Sequence, residues 1–355
     1  MRMLGCGHPY WFDVSSEKLA ELASSGQCLR QDMLSTVASD PNALQFLLSF
    51  KTALQQRNVK LVICTWDIWS PTPQSCHDII YNVGGKGDRW VNDWASIISR
   101  LQPYAIDVMN EPLASSNDPP AAEFEVYRQF ALRCIRAWRA IKPDLVVMVA
   151  GYPFGSVEGI ANIATNPLPE PNLVYDLHYY YSADNTFPAY YAVEQLAYWQ
   201  GTDLVDAKNK LVQRLLSSYS VSTFKSKGLN VVFGEVGTHV ANPNAQVFLQ
   251  DFYDFCKQHD VGVIQNSLVP YPRSGFGMLT SDWQELNAIG LVWKRNMLST
   301  PPPTPPPTPP STPGGSLAAR SIGPFGVPSA LLHQLWRLRE RVIRPEVHKK
   351  LHPLV

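Results

Sequence analysis

Eight short apolar runs, separated by segments with helical spacing, constrain this chain more than any other feature. The runs lie at 2–6 (RMLGC), 27–32 (QCLRQD), 59–65 (VKLVICT), 105–110 (AIDVMN), 145–150 (LVVMVA), 173–178 (LVYDLH), 230–235 (NVVFGE) and 261–266 (VGVIQN). Their length and their content of Val, Ile and Leu suit strands covered on both faces. Between them, Phe124, Tyr127, Ala131, Cys134, Trp138 and Ile141 recur at three and four, which predicts one buried face of a helix. Segments 43–54, 205–216, 245–256 and 284–297 carry the same spacing, and the stretch between the fifth and sixth runs is the weakest helical pattern. Strands alternating with helices predict an α/β fold with parallel pairing and right-handed crossovers. A closed (β/α)8 TIM barrel takes about 250 residues, and residues 1–298 accommodate one. The alternative, an open doubly wound sheet, is disfavoured because no glycine-rich phosphate loop follows the first strand.

One boundary is plain. Residues 299–316 are a Pro/Thr-rich linker, expected as extended polyproline II, a semi-rigid spacer. Residues 317–355 form a short basic tail, read either as one amphipathic helix or as disordered; it is too small to stand alone without staples. Such a linker associates the chain with an extracellular setting, although the start, MRMLGCGHPYWFD, lacks the apolar core of a secretory leader.

Thirty basic and thirty acidic residues cancel, so the charge balance favours neither nucleic acid nor an acidic membrane. No apolar run is long enough to span a bilayer. Cys6, Cys28, Cys64, Cys76, Cys134 and Cys256 are scattered without paired spacing and are expected as buried free thiols. His8, His77 and His239 lack the spacing of a metal site. No cofactor or metal is expected, and the chain is expected to act as a monomer on a polysaccharide or oligosaccharide.

In a barrel of this kind the chemistry gathers at the C-terminal ends of the strands. There the apolar runs give way to Arg30 and Asp32, Trp66 and Asp67, Asn110 and Glu111, Tyr152, His178 and Tyr180, Glu235, and Asn266. An unpaired carboxylate is costly to bury, so two glutamates closing apolar strands on one rim suggest a working pair. A salt bridge between Arg30 and Asp32 is the structural alternative for Arg30. Asp67 and Asp176 read as structural or rim groups, and Glu158 and Glu194 as solvated.

The order CLRQD on the second strand, VMNEP on the fourth, DLHYY on the sixth and VVFGEVG on the seventh resembles glycoside hydrolase family 5, the cellulase family, within the clan of retaining barrel glycosidases. The stretch LVPYPRSGFGMLTSDW (268–283) resembles the loop after the last strand in that family. The resemblance implies that Glu111 is the acid/base and Glu235 the nucleophile of a double displacement, which needs two carboxyls about 5–5.5 Å apart. It implies supporting roles for Arg30 and Tyr180 at the nucleophile, for Asn110 at a sugar hydroxyl, and for His178 in orientation. Two positions depart from the pattern. Trp66 and Asp67 stand where the family usually has a histidine on strand three. Asn266 stands where it has a tryptophan on strand eight. Aromatic faces that stack sugars are expected from Trp11, Trp66, Trp69, Tyr152, Tyr179, Tyr181, Tyr271 and Trp283, with Trp66 and Trp69 leading. The expected activity is an endo-β-1,4-glucanase. A β-mannanase or other β-glucanase is the alternative, and a non-catalytic carbohydrate-binding barrel is the alternative of another class. A phosphate-handling metabolic barrel is disfavoured, because no glycine-rich phosphate cradle stands near the last strands.

Overall fold

The computed structural model describes residues 3–8, 15–67, 72–114, 121–154, 156–181, 198, 200–270, 276–282 and 284–298. The linker at 299–316 and the tail at 317–355 lie outside the described residues. Strands β1 (Leu4–His8), β2 (Cys28–Leu34), β3 (Lys60–Trp66), β4 (Ala105–Asp107), β5 (Val146–Ala150), β6 (Leu173–Tyr181), β7 (Val231–Thr238) and β8 (Gly262–Gln265) each overlap the apolar run that predicted them. Every neighbouring pair is parallel, and β1 also pairs with β8, which closes the barrel.

Ten α-helices among the described residues cover the barrel: α1 (Ser16–Ala23), α2 (Pro41–Gln56), α3 (Pro73–Ile80), α4 (Lys86–Leu101), α5 (Ala121–Arg139), α6 (Val157–Thr165), α7 (Leu204–Ser217), α8 (Val221–Ser226), α9 (Ala245–Gln258) and α10 (Ala288–Leu298). Several of their starts follow capping chemistry. Asp40 accepts hydrogen bonds from the Asn42 and Ala43 backbones with Pro41 in the first turn, and Thr72 and Ser75 cap α3 reciprocally. The sequence reading gave no helix at 86–101. Helix α4 begins behind Gly84 and Gly85, both at positive φ, without a capping side chain, so the usual start signal is missing. Its face of Trp90, Trp94, Ile97, Ile98 and Leu101 is nonetheless buried.

Side chains alternate along a strand between the barrel interior and the helix layer. The larger apolar cluster lies between strands and helices. A second cluster, Met3, Cys28, Val62, Ala105, Val146, Met148, Val174, Val232 and Ile264, draws on seven strands and fills the interior. This apolar floor leaves the next inward positions of each strand for polar work. No described helix is long and apolar enough to cross a membrane. Among the described side chains, Cys28, Cys64, Cys76, Cys134 and Cys256 are buried and in no disulfide; the side chain of Cys6 lies outside them.

Candidate active site

Two residues beyond the floor, the inward positions are Arg30 on β2, Asp107 on β4 and Asp176 on β6, all buried. The guanidinium of Arg30 sits at their centre. Its Nη2 donates to Asp107 Oδ2 at 2.7 Å and to Asn110 Oδ1 at 2.6 Å, and lies 3.4 Å from Asp176 Oδ2. Its Nη1 donates to Glu235 Oε1 at 2.5 Å. A planar, permanently charged fork suits several carboxylates at once, where a lysine would offer one point charge. The expected alternative, an Arg30–Asp32 salt bridge, does not form; the three ion pairs go to Asp107, Asp176 and Glu235. Burial pushes the Asp107 carboxyl up to about 7, against the pull of Arg30.

Glu235 reaches this centre through a bulge. Phe233 pairs with Val263 and Val236 with Gln265, so Gly234 and Glu235 together oppose the single residue Ile264. In an unbroken strand Glu235, three residues after the inward Val232, would face the helices; the extra residue turns it inward. Position 234 has no room for a side chain, because a Cβ there would overlap the Asp176 carboxylate. The Gly234 N–H instead donates to Asp176 Oδ1 at 2.9 Å. A Cβ at Gly237 would come within 2.9 Å of the Tyr180 ring. Both glycines of GEVG are therefore set by close neighbours.

The second oxygen of Glu235 accepts from the Tyr180 hydroxyl and from Asn266 Nδ2, the latter at 3.2 Å. Asn266 follows β8 directly, tied by its backbone N–H to Val236 O at 2.8 Å, and its amide also donates to the Tyr180 hydroxyl. Desolvation pushes the Glu235 carboxyl up, but the charges of His178 and Arg30 and the Tyr180 hydrogen bond outweigh it and hold the group below the usual carboxylate range. Tyr180, half-buried beside this negative charge, is held well above the ordinary phenol range by desolvation and by Glu235, and stays a donor.

Beyond β4 the chain leaves the sheet. The Asn110 N–H donates to Thr65 O at 3.1 Å, and Glu111 takes a left-handed backbone with φ +44° just before Pro112. Such a backbone is uncommon for a residue with a Cβ. It carries the Glu111 side chain to 28% exposure, against 8% for Glu235. His178 lies between the two: Nδ1 is 2.9 Å from Glu111 Oε1 and 3.7 Å from Glu235 Oε2, while Nε2 is 3.4 Å from Asp176 Oδ2. Phe154 packs edge-on against the imidazole at 4.8 Å. Burial disfavours a charged imidazole, but Glu235, Asp176 and Glu111 overcome it and hold His178 well above the ordinary histidine range. One oxygen of Glu111 and one of Glu235 lie within 4.8 Å of each other.

The structure thus brings Arg30, Asn110, Glu111, His178, Tyr180, Glu235 and Asn266 into one cluster. The aromatic expectations divide. Trp66 ends β3 half-buried, and its Nε1 has no partner among the described residues. Tyr152 is a correction: it is 2% exposed, stacks on Tyr127 at 5.1 Å and donates to Glu123, so its ring offers no free face to a sugar. Tyr179 is likewise buried, among Tyr219, Phe248 and Phe252 on the helix side. Trp11, Trp69, Tyr271 and Trp283 lie outside the described residues, as does the side chain of Tyr181. Asp176, read as a structural or rim group, stands in the buried charge centre, so it is structural and not on the rim. Asp107 was not singled out at all. The signal for both was available: Ala105 and Asp107, like Val174 and Asp176, are two apart and share the inward face.

Two sets of side chains have the composition of metal ligands, Asp32 with Cys64 and Glu235, and Glu111 with His178 and Glu235. Neither fits a cation well. Arg30 already places a positive charge on Glu235, burial pushes the Cys64 thiol far up, and His178 is held charged. What the arrangement can do is organic chemistry at one carbon. An ionised, tightly held carboxylate lies within 4.8 Å of a more exposed carboxyl.

The sequence model of the cellulase family, glycosyl hydrolase family 5, matches residues 58–268. No curated protein matches the chain in sequence. Among solved structures, the catalytic domain of the major endoglucanase from Xanthomonas campestris pv. campestris is similar at 13% identity and TM-score 0.62, covering 84% of this chain and 95% of that one. A hyperthermophilic endocellulase from the archaeon Pyrococcus horikoshii matches at 15% identity and TM-score 0.60, covering 84% and 93%. The catalytic domain of a mannanase from Streptomyces sp. SirexAA-E matches at 16% identity and TM-score 0.56, covering 82% and 83%. At these identities the likeness to solved structures is one of fold.

Proposed function

The chain belongs to the cellulase family, glycosyl hydrolase family 5, and is a glycoside hydrolase; from that premise we propose that it is a retaining endo-β-1,4-glucanase with Glu235 as nucleophile and Glu111 as acid/base. The observation that carries this reading is the approach of the Glu111 and Glu235 oxygens to within 4.8 Å of each other. That is near the separation of about 5–5.5 Å between carboxyls that retention requires, and too short for a water to attack from the opposite face.

In the first half-reaction Glu235 attacks the anomeric carbon, and Glu111 gives its proton to the departing glycosidic oxygen. In the second, Glu111 takes a proton from water, which displaces Glu235 and restores it as a carboxylate. Arg30, Tyr180 and Asn266 keep Glu235 ionised and aimed. His178 fixes the orientation of Glu111. The Asn110 Nδ2, buried and without a partner among the described residues, is left to a sugar hydroxyl. Trp66 supplies an aromatic face at the β3 edge of the cleft.

The Pro/Thr-rich composition of residues 299–316 supports action outside the cell. Activity confined to the lysate of the source cells, with none in the medium, would contradict that. Substrate choice is tested by reducing-end release from soluble cellulose, mannan, xylan and mixed-linkage glucan. Cellulose is expected to lead; a preference for mannan would move the assignment to the mannanases, and no release from any would favour a binding barrel. Proton NMR of the first product is expected to show the β-anomer, and an initial α-anomer would rule out retention.

A further inference from the structure

Asp32 has no role in the mechanism above, yet it stands in its cleft. It lies two residues past Arg30 on β2 and so shares the inward face. Unlike Arg30 it is partly exposed, and Arg30 spends its ion pairs on other carboxylates. One Asp32 oxygen, the Cys64 sulfur and one Glu235 oxygen lie within 4.8 Å of one another. Glu235 is therefore flanked by two carboxyls, Glu111 from the end of β4 and Asp32 from β2.

At a separation of no more than 4.8 Å, the two oxygens are close enough for one hydroxyl oxygen to bond to both at about 2.5–3.0 Å. We propose that Asp32 is a specificity-determining residue, which with Glu235 brackets one ring hydroxyl of the sugar under attack and so selects glycosides that carry a hydroxyl at that position. The inference rests on the glycosidase reading of the same site.

The charges around Asp32 give the bracket a direction. Glu235 on β7 and Glu111 after β4 repel a second anion, Arg30 on β2 attracts it, and Cys64 on β3 is buried and neutral. Desolvation and the Glu235 charge push Asp32 up to about 6. Below that pH the Asp32 carboxylic acid donates to the hydroxyl oxygen, and the hydroxyl donates in turn to the Glu235 carboxylate. The bracket thus holds a polar group that a sugar lacking the hydroxyl would leave unmatched, which is how a site rejects a deoxy analogue.

The test is a cycle between enzyme and substrate. Wild type, Asp32→Ala and Asp32→Asn are assayed at mildly acidic pH on an aryl β-cellobioside and on analogues deoxygenated singly at each hydroxyl of the reacting ring. Circular dichroism and the melting temperature check the fold. Wild type is expected to lose about 10- to 100-fold in kcat/KM on one analogue. Asp32→Ala is expected to lose a similar factor on the parent and little more on that analogue. Asp32→Asn keeps a donor of similar size and is expected to keep most of the selectivity, also where Asp32→Ala folds poorly. Unchanged kcat/KM in folded Asp32→Ala, or losses that simply multiply for every analogue in both variants, would overturn the proposal. Wild-type turnover abolished by Glu235→Ala would leave the glycosidase reading standing in that event. Absence of wild-type turnover would defeat both.

Discussion

Arg30 Nη1 and Glu235 Oε1 meet at 2.5 Å in a site where the arginine side chain is 1% exposed and the glutamate 8%. The pair is 205 positions apart in the chain and is made by β2 and β7. It fixes both the charge state and the aim of the carboxylate. It also neutralises part of a cluster that includes Asp107 and Asp176.

Replacing Arg30 by methionine keeps length and removes the charge. Breaking a buried ion pair from one side costs about 3–5 kcal/mol because the remaining charge is stranded. Arg30→Met is therefore expected to lower stability by that order in urea denaturation, and to lower kcat by about 100-fold or more. Arg30→Lys should recover little, since it cannot reach several carboxylates with a planar fork. Wild-type stability in Arg30→Met would show that the cluster carries no net charge to compensate.

Tyr180 lowers the pKa of Glu235 by donating to its carboxylate. In the proposed mechanism Glu235 attacks as the carboxylate, so the acid limb of kcat/KM is expected to report the pH at which Glu235 takes a proton. Removing the donor weakens the ionised form and raises that pKa. Tyr180→Phe is expected to move the acid limb upward by about one pH unit, with activity lost earlier as pH falls. A pH–rate profile checks this, and an acid limb that stays in place or moves down would contradict it.

Gly234 gives up its side-chain space to the Asp176 carboxylate, and the bulge it belongs to turns Glu235 into the barrel. Gly234→Ala must push Asp176 aside. Overpacking of this kind costs about 1–3 kcal/mol. The variant is expected to melt at lower temperature and to lose kcat more than it changes KM. A melting temperature and kcat equal to wild type would show that the strand accepts a Cβ there.

The barrel was legible because every one of its strands is an apolar run bounded by polar residues, and the site was legible where a residue closes such a run. Glu111 and Glu235 are of this kind. What was hidden depended on neighbours distant in sequence. β4 was expected to reach 110 but ends at Asp107, because the chain must leave the sheet to place Asn110 and Glu111. The bulge at Gly234 inserts one residue into the alternation, and its one local mark in VVFGEVG is a glycine inside an apolar run. Tyr152 follows β5 as a rim aromatic would, yet Tyr127 on α5 covers its ring. Asp107 and Asp176 show the reverse case. Strand alternation places both on the inward face, but only the arrival of Arg30 from β2 makes them a charge centre rather than a burial cost.

The most direct test of the central claim is to trap the intermediate. A 2-deoxy-2-fluoro glycoside with a good leaving group slows both half-reactions but leaves the second slower, so the sugar stays on the nucleophile. Mass spectrometry of the intact chain and of its peptides then locates the ester. One sugar per chain, on the peptide and residue of Glu235, with no labelling of Glu235→Ala, is the predicted result. A label on Glu111 or Asp32, or sustained turnover of the natural substrate with no trapped ester, would contradict it.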